Sequence, residues 1–208
     1  MDTSLNIENI VFDLGGVLID WNPRYLFQKI FPSTAEMEYF LQHVATAEWN
    51  AEQDAGRSLQ EGTAWLVERF PAYEQAIRAY YDRWEEMLGG EIKASLAIFY
   101  RLKAMHTYRL FALTNWSAET FIIARQRFAF LQDFDGIVVS GEEKTRKPFP
   151  DIYQRLIQRF RILPERSLFI DDVLENVEGA RQAGFHTILF VSPEALAEQL
   201  KAMGILEG

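Results

Sequence analysis

The residues best equipped for chemistry stand where apolar runs stop. Ile10-Val11-Phe12 ends at Asp13, with Gly15 and Gly16 just beyond. A carboxylate at the carboxyl end of a buried strand, beside glycines, sits where open α/β sheets take ligands; a strand and turn merely capped by Asp13 is the plainer alternative. Leu168-Phe169-Ile170 ends at Asp171-Asp172, with Asn176 close behind. Two adjacent carboxylates leaving a buried strand repel each other and are costly to desolvate, a cost that a divalent cation relieves. Magnesium takes a few carboxylates together with a carbonyl and waters; capping the next helix is the other use of Asp172. The run Leu110 to Leu113 ends at Thr114-Asn115. That hydroxyl and amide can donate to an anion or form a helix cap. Lys147-Pro148 follows a polar loop. The proline holds Lys147 extended, so its ammonium could face an anionic transition state from a fixed position, or lie exposed like most loop lysines.

The elements that must carry these groups follow from periodicity and caps. Strands are expected over residues 7–14, 108–114, 136–140, 167–171 and 186–191. Helices are expected over 91–105, 118–127, 150–161, 175–183 and 193–203. Strands alternating with helices of this length mean a parallel sheet with right-handed crossovers. Residues 23–88 carry no convincing strand. Asn22-Pro23 starts a helix there. Ser33 with Glu36, and Ser58 with Glu61, have capping-box spacing. Further helices are expected over 45–54 and 73–88, the last ended by Gly89-Gly90. An all-helical block is therefore inserted after the first strand.

Composition bounds the function. The chain has 208 residues, 49% hydrophobic and 25% charged, with net charge −9 and a pI near 4.9. That is an ordinary globular balance, and the acidic net charge argues against a nucleic-acid binder, which would need a basic face. An anionic small substrate remains compatible, because a metal and one lysine make a site locally positive. There are no cysteines, so neither disulfides nor thiol chemistry enter. Residues 1–9 are polar and acidic and are not expected to be a signal peptide. No apolar run reaches membrane-spanning length. The expectation is a cytoplasmic protein with no nucleic-acid or membrane partner and an undefined oligomeric state.

Asp13 with its glycines, Thr114-Asn115, Lys147-Pro148 and Asp171-Asp172, in that order, resemble the four motifs of the haloacid-dehalogenase-like hydrolase superfamily. The resemblance spans essentially the whole chain. Asp-Leu-Gly-Gly-Val-Leu and Phe-Ile-Asp-Asp are similar to the branch of bacterial glucose-1-phosphate phosphatases, and the fourth motif to the phosphatase domain of soluble epoxide hydrolase. It implies an α/β fold, a Rossmann-like doubly wound parallel sheet over residues 1–20 and 89–208 with an inserted helical cap over 21–88. It also implies that the first and fourth strands are neighbours. By the same resemblance Asp13 is a nucleophile that forms an aspartyl-phosphate. Asp13, the Gly15 carbonyl and Asp172 are magnesium ligands, and Asp171 and Asn176 support them. Thr114 and Asn115 orient the phosphoryl group, and Lys147 neutralises its charge. The chemistry agrees, since a phosphoryl dianion repels an attacking carboxylate unless cations offset both charges.

One position departs. Family phosphatases usually carry a second Asp two residues after the nucleophile as general acid and base; here it is Gly15. The substrate then has a good leaving group, as a sugar-1-phosphate has, or the acid comes from Glu52, Asp54 or Asp20, or the protein is weakly active or a non-catalytic binder. The expected activity is a magnesium-dependent phosphomonoester hydrolase acting on a small phosphorylated metabolite such as a sugar phosphate. A 2-haloacid dehalogenase is the alternative, but dehalogenases of the superfamily lack the acidic pair that this chain keeps. Trp116, Trp21 and Arg57 are candidate substrate contacts. The cap aromatics, Trp49, Trp65 and Trp84 among them, could stack on a sugar, although a helical core is their commoner use.

Overall fold

The structure is a computed structural model that describes residues 6–206. The amino-terminal stretch not expected to be a signal peptide lies partly outside those residues. Five strands, β1 (Asn9–Phe12), β4 (Arg109–Thr114), β5 (Gly136–Val139), β6 (Ser167–Asp171) and β7 (His186–Leu189), form one sheet in the order β5-β4-β1-β6-β7. Every pairing is parallel. Winding runs from β1 outward through β4 to β5, then returns to β6 on the other side of β1. The switch point lies between β1 and β6, where such sheets open a crevice at the carboxyl ends.

Alternation along the strands gives the sheet two apolar faces. Ile10, Phe12, Leu110, Ala112, Leu168 and Ile170 face one layer; Val11, Phe111, Leu113, Val138 and Phe169 face the other. Among the helices after the insertion, α6 (Lys93–Ala104), α7 (Ala118–Arg127) and α11 (Pro193–Ala202) pack on the first face. α9 (Pro150–Phe160) and α10 (Leu174–Gln182) cover the second. A one-turn helix, α8 (Ser140–Glu143), follows β5 directly; a segment this short gives no periodic signal in sequence.

The helical insertion holds α1 (Arg24–Phe27), α2 (Thr34–His43), α3 (Ala47–Asp54), α4 (Leu59–Arg69) and α5 (Glu74–Asp82). Ser33, Thr46 and Ser58 accept from the backbone of Glu36, Trp49 and Glu61, and Ser58 with Glu61 completes the expected capping box. Phe27, Phe40, Ile77, Tyr80 and Trp84 fill the interior. The insertion is not helical to its edges. β2 (Ile19–Trp21) and β3 (Leu88–Glu91) pair antiparallel, so both chain crossings run through one small ribbon. The helix expected over residues 73–88 stops at Asp82, and a 3-10 turn at Trp84–Met87 leads into β3. Gly89-Gly90 thus belongs to a strand. A Cβ at Gly89 would lie 2.1 Å from Asp20 Oδ2, which explains why glycine occupies a position that reads as a helix stop. No helix among the described residues is long and apolar enough to cross a membrane.

Candidate active site

β1 delivers Asp13 between its two neighbouring strands. The Asp13 amide donates to Ile170 O at 2.8 Å, continuing the β1–β6 ladder by one residue. This puts Asp13 beside Asp171 and Asp172, and one oxygen from each of the three carboxylates lies within 4.8 Å of the others. Asp13 and Asp171 are buried, while Asp172 is exposed. Gly16 makes the approach possible. It has φ +74°, and a Cβ there would stand 2.2 Å from Asp172 Oδ2.

Lys147 joins the cluster from the opposite side. Its ammonium, fully buried, lies 3.0 Å from Asp13 Oδ1 and 2.6 Å from Asp171 Oδ2. The other Asp171 oxygen accepts from the Val173 amide at 2.9 Å and from Asn176 Nδ2 at 3.0 Å. Asp171 is therefore saturated by protein donors, whereas Asp172 is left to face solvent. Asn115 brackets the Lys147 backbone, accepting from its amide at 2.8 Å and donating to its carbonyl at 3.0 Å. Lys147 precedes a cis peptide bond to Pro148. Thr114 Oγ1 is fully buried and has no hydrogen-bond partner among the described residues. Buried hydroxyls are seldom left so, and this one can donate to a ligand.

Burial pushes the Asp13 carboxyl up to about 7; Lys147 opposes that rise and the charges of Asp171 and Asp172 add to it. Asp172, exposed as a residue but with its carboxyl partly desolvated beside the cluster, is also raised, by that desolvation and then by the charge of Asp171. For Lys147 burial acts downward, but Asp13 and Asp171 outweigh it and hold the ammonium above its ordinary value. Three crowded carboxylates with one lysine carry excess negative charge, and a divalent cation is the natural relief. The donor set suits magnesium, with oxygens alone and two carboxylates, Asp13 and Asp172, not saturated by protein donors.

Beside this cluster a pocket holds about 430 Å³ of empty space, its mouth included, lined by Gly15 and Asn115 on the sheet side. Trp21, Asn50, Asp54, Tyr81 and Trp84 close it from the insertion side, with Trp116, Ser117 and Thr120 between. Trp21 and Trp116, two of the expected substrate contacts, thus line it. Arg57 is not among the lining residues; its guanidinium donates to Gln53 Oε1 at 2.6 Å and Trp49 O at 3.1 Å. Trp49 is buried and donates to Gly62 O. Trp65 is exposed, with Arg69 stacked on its ring. Of the three substitute acids, Asp20 accepts from the Tyr25 hydroxyl, Glu52 is exposed and Asp54 lines the pocket. Tyr81 is one of the cap aromatics that could stack on a sugar, whereas Asn50 has no signal in the sequence beyond lying one helical turn before Asp54, so that the two share a face.

Comparison with known proteins fits this geometry. Residues 7–184 match the family model of haloacid dehalogenase-like hydrolases. The chain is 28% identical over 201 residues to the phosphoglycolate phosphatase of Nitrosospira multiformis, covering 89% of this chain and 84% of that protein. It is 24% identical over 189 residues to the phosphorylated carbohydrates phosphatase of Thermotoga maritima, covering 88% and 84%. A shorter stretch of 72 residues is 36% identical to acyl-CoA dehydrogenase family member 10 of Mus musculus, covering 35% of this chain and 7% of that protein. A magnesium complex of a HAD family enzyme from Bacteroides thetaiotaomicron has the same fold, with TM-score 0.73, 20% identity and coverage of 94% and 99%. The chain belongs to the haloacid dehalogenase-like hydrolases.

Proposed function

We propose that this hydrolase is a magnesium-dependent phosphatase, acting through a phosphorylated Asp13 on a small phosphorylated metabolite in the cytoplasm. The observation that carries the reading is the cluster of Asp13, Asp171 and Asp172 around the buried ammonium of Lys147. Displacing a halide involves no dianion and gives no reason to keep three carboxylates together. Attack on a phosphate monoester does, because the nucleophile and the substrate are both anionic. The named activities of the Nitrosospira and Thermotoga relatives support the same choice.

Asp13, Asp172 and the Gly15 carbonyl would hold magnesium, which when bound supplies the positive charge that lets an anionic ester approach. Asp13 attacks phosphorus, so its oxygen forms the new P–O bond as the ester oxygen leaves. Lys147 stays protonated and offsets the charge shared by Asp13 and the transferring group. Asp171 and Asn176 keep that ammonium in place. Thr114 donates its free hydroxyl to a phosphoryl oxygen, and Asn115 acts by fixing the Lys147 backbone. Residues 21–88 serve as the cap over this centre. The aromatic walls Trp21, Trp84, Trp116 and Tyr81 favour a substrate with a flat or sugar-like face, and Trp116 Nε1, buried without a partner among the described residues, can donate to a hydroxyl. A sugar phosphate fits this description.

The test is a screen of phosphorylated metabolites with and without magnesium, beside a halide-release assay on short 2-haloacids. Magnesium-dependent phosphate release, abolished by Asp13→Asn, is expected, with labelled phosphate trapped on the parent protein alone. Halide release without phosphate release would overturn the reading.

A further inference from the structure

Gly15 removes a carboxyl from the place where relatives were expected to keep their acid, and the surroundings show what that removal leaves. A Cβ at Gly15 would meet nothing within 4 Å. The position opens into the pocket, and no other side chain among the described residues fills the space. Across that pocket Asp54 is the sole carboxylate among the lining residues. It stands at the last residue of α3 and is held on several sides. Asn50 Nδ2 donates to Asp54 Oδ2 at 3.0 Å. The Ser117 amide also donates to its carboxylate. Its backbone carbonyl accepts from Ser140 Oγ at 2.5 Å. Asn50 is itself fixed, since its Oδ1 accepts from the Tyr81 hydroxyl at 2.9 Å, and that hydroxyl accepts from Gln53 Nε2 at 2.9 Å. A chain of oriented amides and hydroxyls thus ends on one carboxylate that looks into a mostly apolar pocket.

We propose that Asp54 is the general acid and base of this enzyme, supplying from the helical insertion the proton that Gly15 cannot. This inference rests on the phosphatase reading above. In the first half of the reaction the Asp54 carboxyl gives its proton to the ester oxygen as the bond from that oxygen to phosphorus breaks and the Asp13–phosphorus bond forms. In the second half the Asp54 carboxylate takes a proton from the water that attacks phosphorus, the Asp13–phosphorus bond breaks, and orthophosphate leaves. One proton is given and one regained, so Asp54 ends as it began.

Its surroundings suit both halves. Burial pushes the Asp54 carboxyl up to about 7, against the Ser117 amide and the charge of Arg146, which pull it down. At neutral pH both of its forms are populated, the condition under which one group can act as acid and then base. Among the described residues Tyr80 and Tyr81 on α5 also face it electrostatically, Glu119 on α7 and Arg57 beyond the end of α3 act on Tyr81, and Lys144 after α8 packs near Gly56 in the turn that follows.

The experiment compares the parent with Asp54→Asn on two esters, para-nitrophenyl phosphate and a primary alkyl phosphate, at several pH values. General acid catalysis is typically worth about 10²–10⁴-fold, and it matters most where the leaving group is poor. Asp54→Asn is expected to lose about 100-fold or more in kcat/KM on the alkyl ester and about 10-fold or less on the aryl ester. For the parent on the alkyl ester, kcat/KM falls as pH rises past about 7, where Asp54 loses its proton; in Asp54→Asn that limb disappears. Gly15→Asp, placed in the open space and combined with Asp54→Asn, restores part of the alkyl-ester rate. If Asp54→Asn does not fold, Asn50→Ala carries the test. It removes a donor to the charged carboxylate and so raises the pKa of Asp54, which moves the descending limb to higher pH. Equal losses on both esters with an unchanged pH profile would overturn the proposal and leave Asp54 a docking residue. A parent inactive on every phosphate ester would instead overturn the phosphatase reading, and this inference with it.

Discussion

Lys147 is buried with its charge because two carboxylates share it. Removing one partner of such a set leaves the others unpaired, typically at about 3–5 kcal/mol. Lys147→Met is therefore expected to destabilise the magnesium-free protein by about 3 kcal/mol, at the low end of that range, because Asp13, with its carboxyl already near 7, can take up a proton instead. Urea unfolding checks this, and a change below about 1 kcal/mol, the size of a single ordinary hydrogen bond, would show that the ammonium is not what balances the cluster. Asp172→Asn should leave the fold intact and, by relieving the crowding of Asp171 and Asp13, not lower stability without magnesium, yet raise the magnesium concentration needed for half-maximal phosphate release by about 10-fold or more. An unmoved magnesium titration would remove Asp172 from the ligand set. The charged residues were legible in the sequence because each ends an apolar strand or precedes a proline. The use of Asn115 was not. Its side chain grips the Lys147 backbone, and nothing local in Thr114-Asn115 points to a chain segment thirty-two residues away.

At the scale of elements, capping chemistry and apolar periodicity are local and show most of the helices, although the one-turn α8 gives no such signal and the helix expected over residues 73–88 ends at Asp82. The β2–β3 ribbon leaves no such local signal. Its strands are three and four residues long, and their pairing joins the two ends of a long insertion. Arg57 shows how the same limit acts on a side chain. It follows α3 and is a candidate substrate contact by sequence, yet its guanidinium donates to Gln53 and the Trp49 carbonyl. Arg57→Ala should thus lower stability by about 1–2 kcal/mol through those two bonds, and shift KM for the best phosphorylated substrate by less than twofold. A large rise in KM at unchanged melting temperature would show that Arg57 swings into the pocket when substrate binds. Gln53 links Arg57 to Tyr81, and Tyr81 to Asn50. Some of the loss in Arg57→Ala is therefore expected to appear as a shifted pH profile, small beside that of Asn50→Ala.

For the whole molecule, the pocket forms where the insertion meets the carboxyl ends of β1 and β4, and Asp54 stands at that junction. Ser140 Oγ accepts from the Trp116 amide and donates to the Asp54 carbonyl, so one hydroxyl joins both layers at the pocket wall. Placing an ionisable carboxyl there has a cost that depends on pH. An ordinary aspartate titrates near 3.8, and burial raises Asp54 to about 7 in the folded protein. The folded state therefore holds this proton more tightly than the unfolded chain does. The associated stability is fully present below about pH 4 and is lost as pH rises to about 7. Asp54→Asn removes the titration from both states. The melting temperature of the variant minus that of the parent, measured without magnesium, should therefore increase steadily from pH 4 to pH 7 and stay level above it. The absolute offset carries the separate penalty of an amide NH2 facing the Ser117 or Asn50 donor, so the slope is the informative quantity. Asp13 titrates over the same range, but it is present in both proteins and its effect cancels in the difference as long as the two sites do not couple. A flat difference across that range would mean that Asp54 is ionised throughout at its ordinary pKa, and would leave it unable to hold the proton that cleavage of a poor leaving group needs.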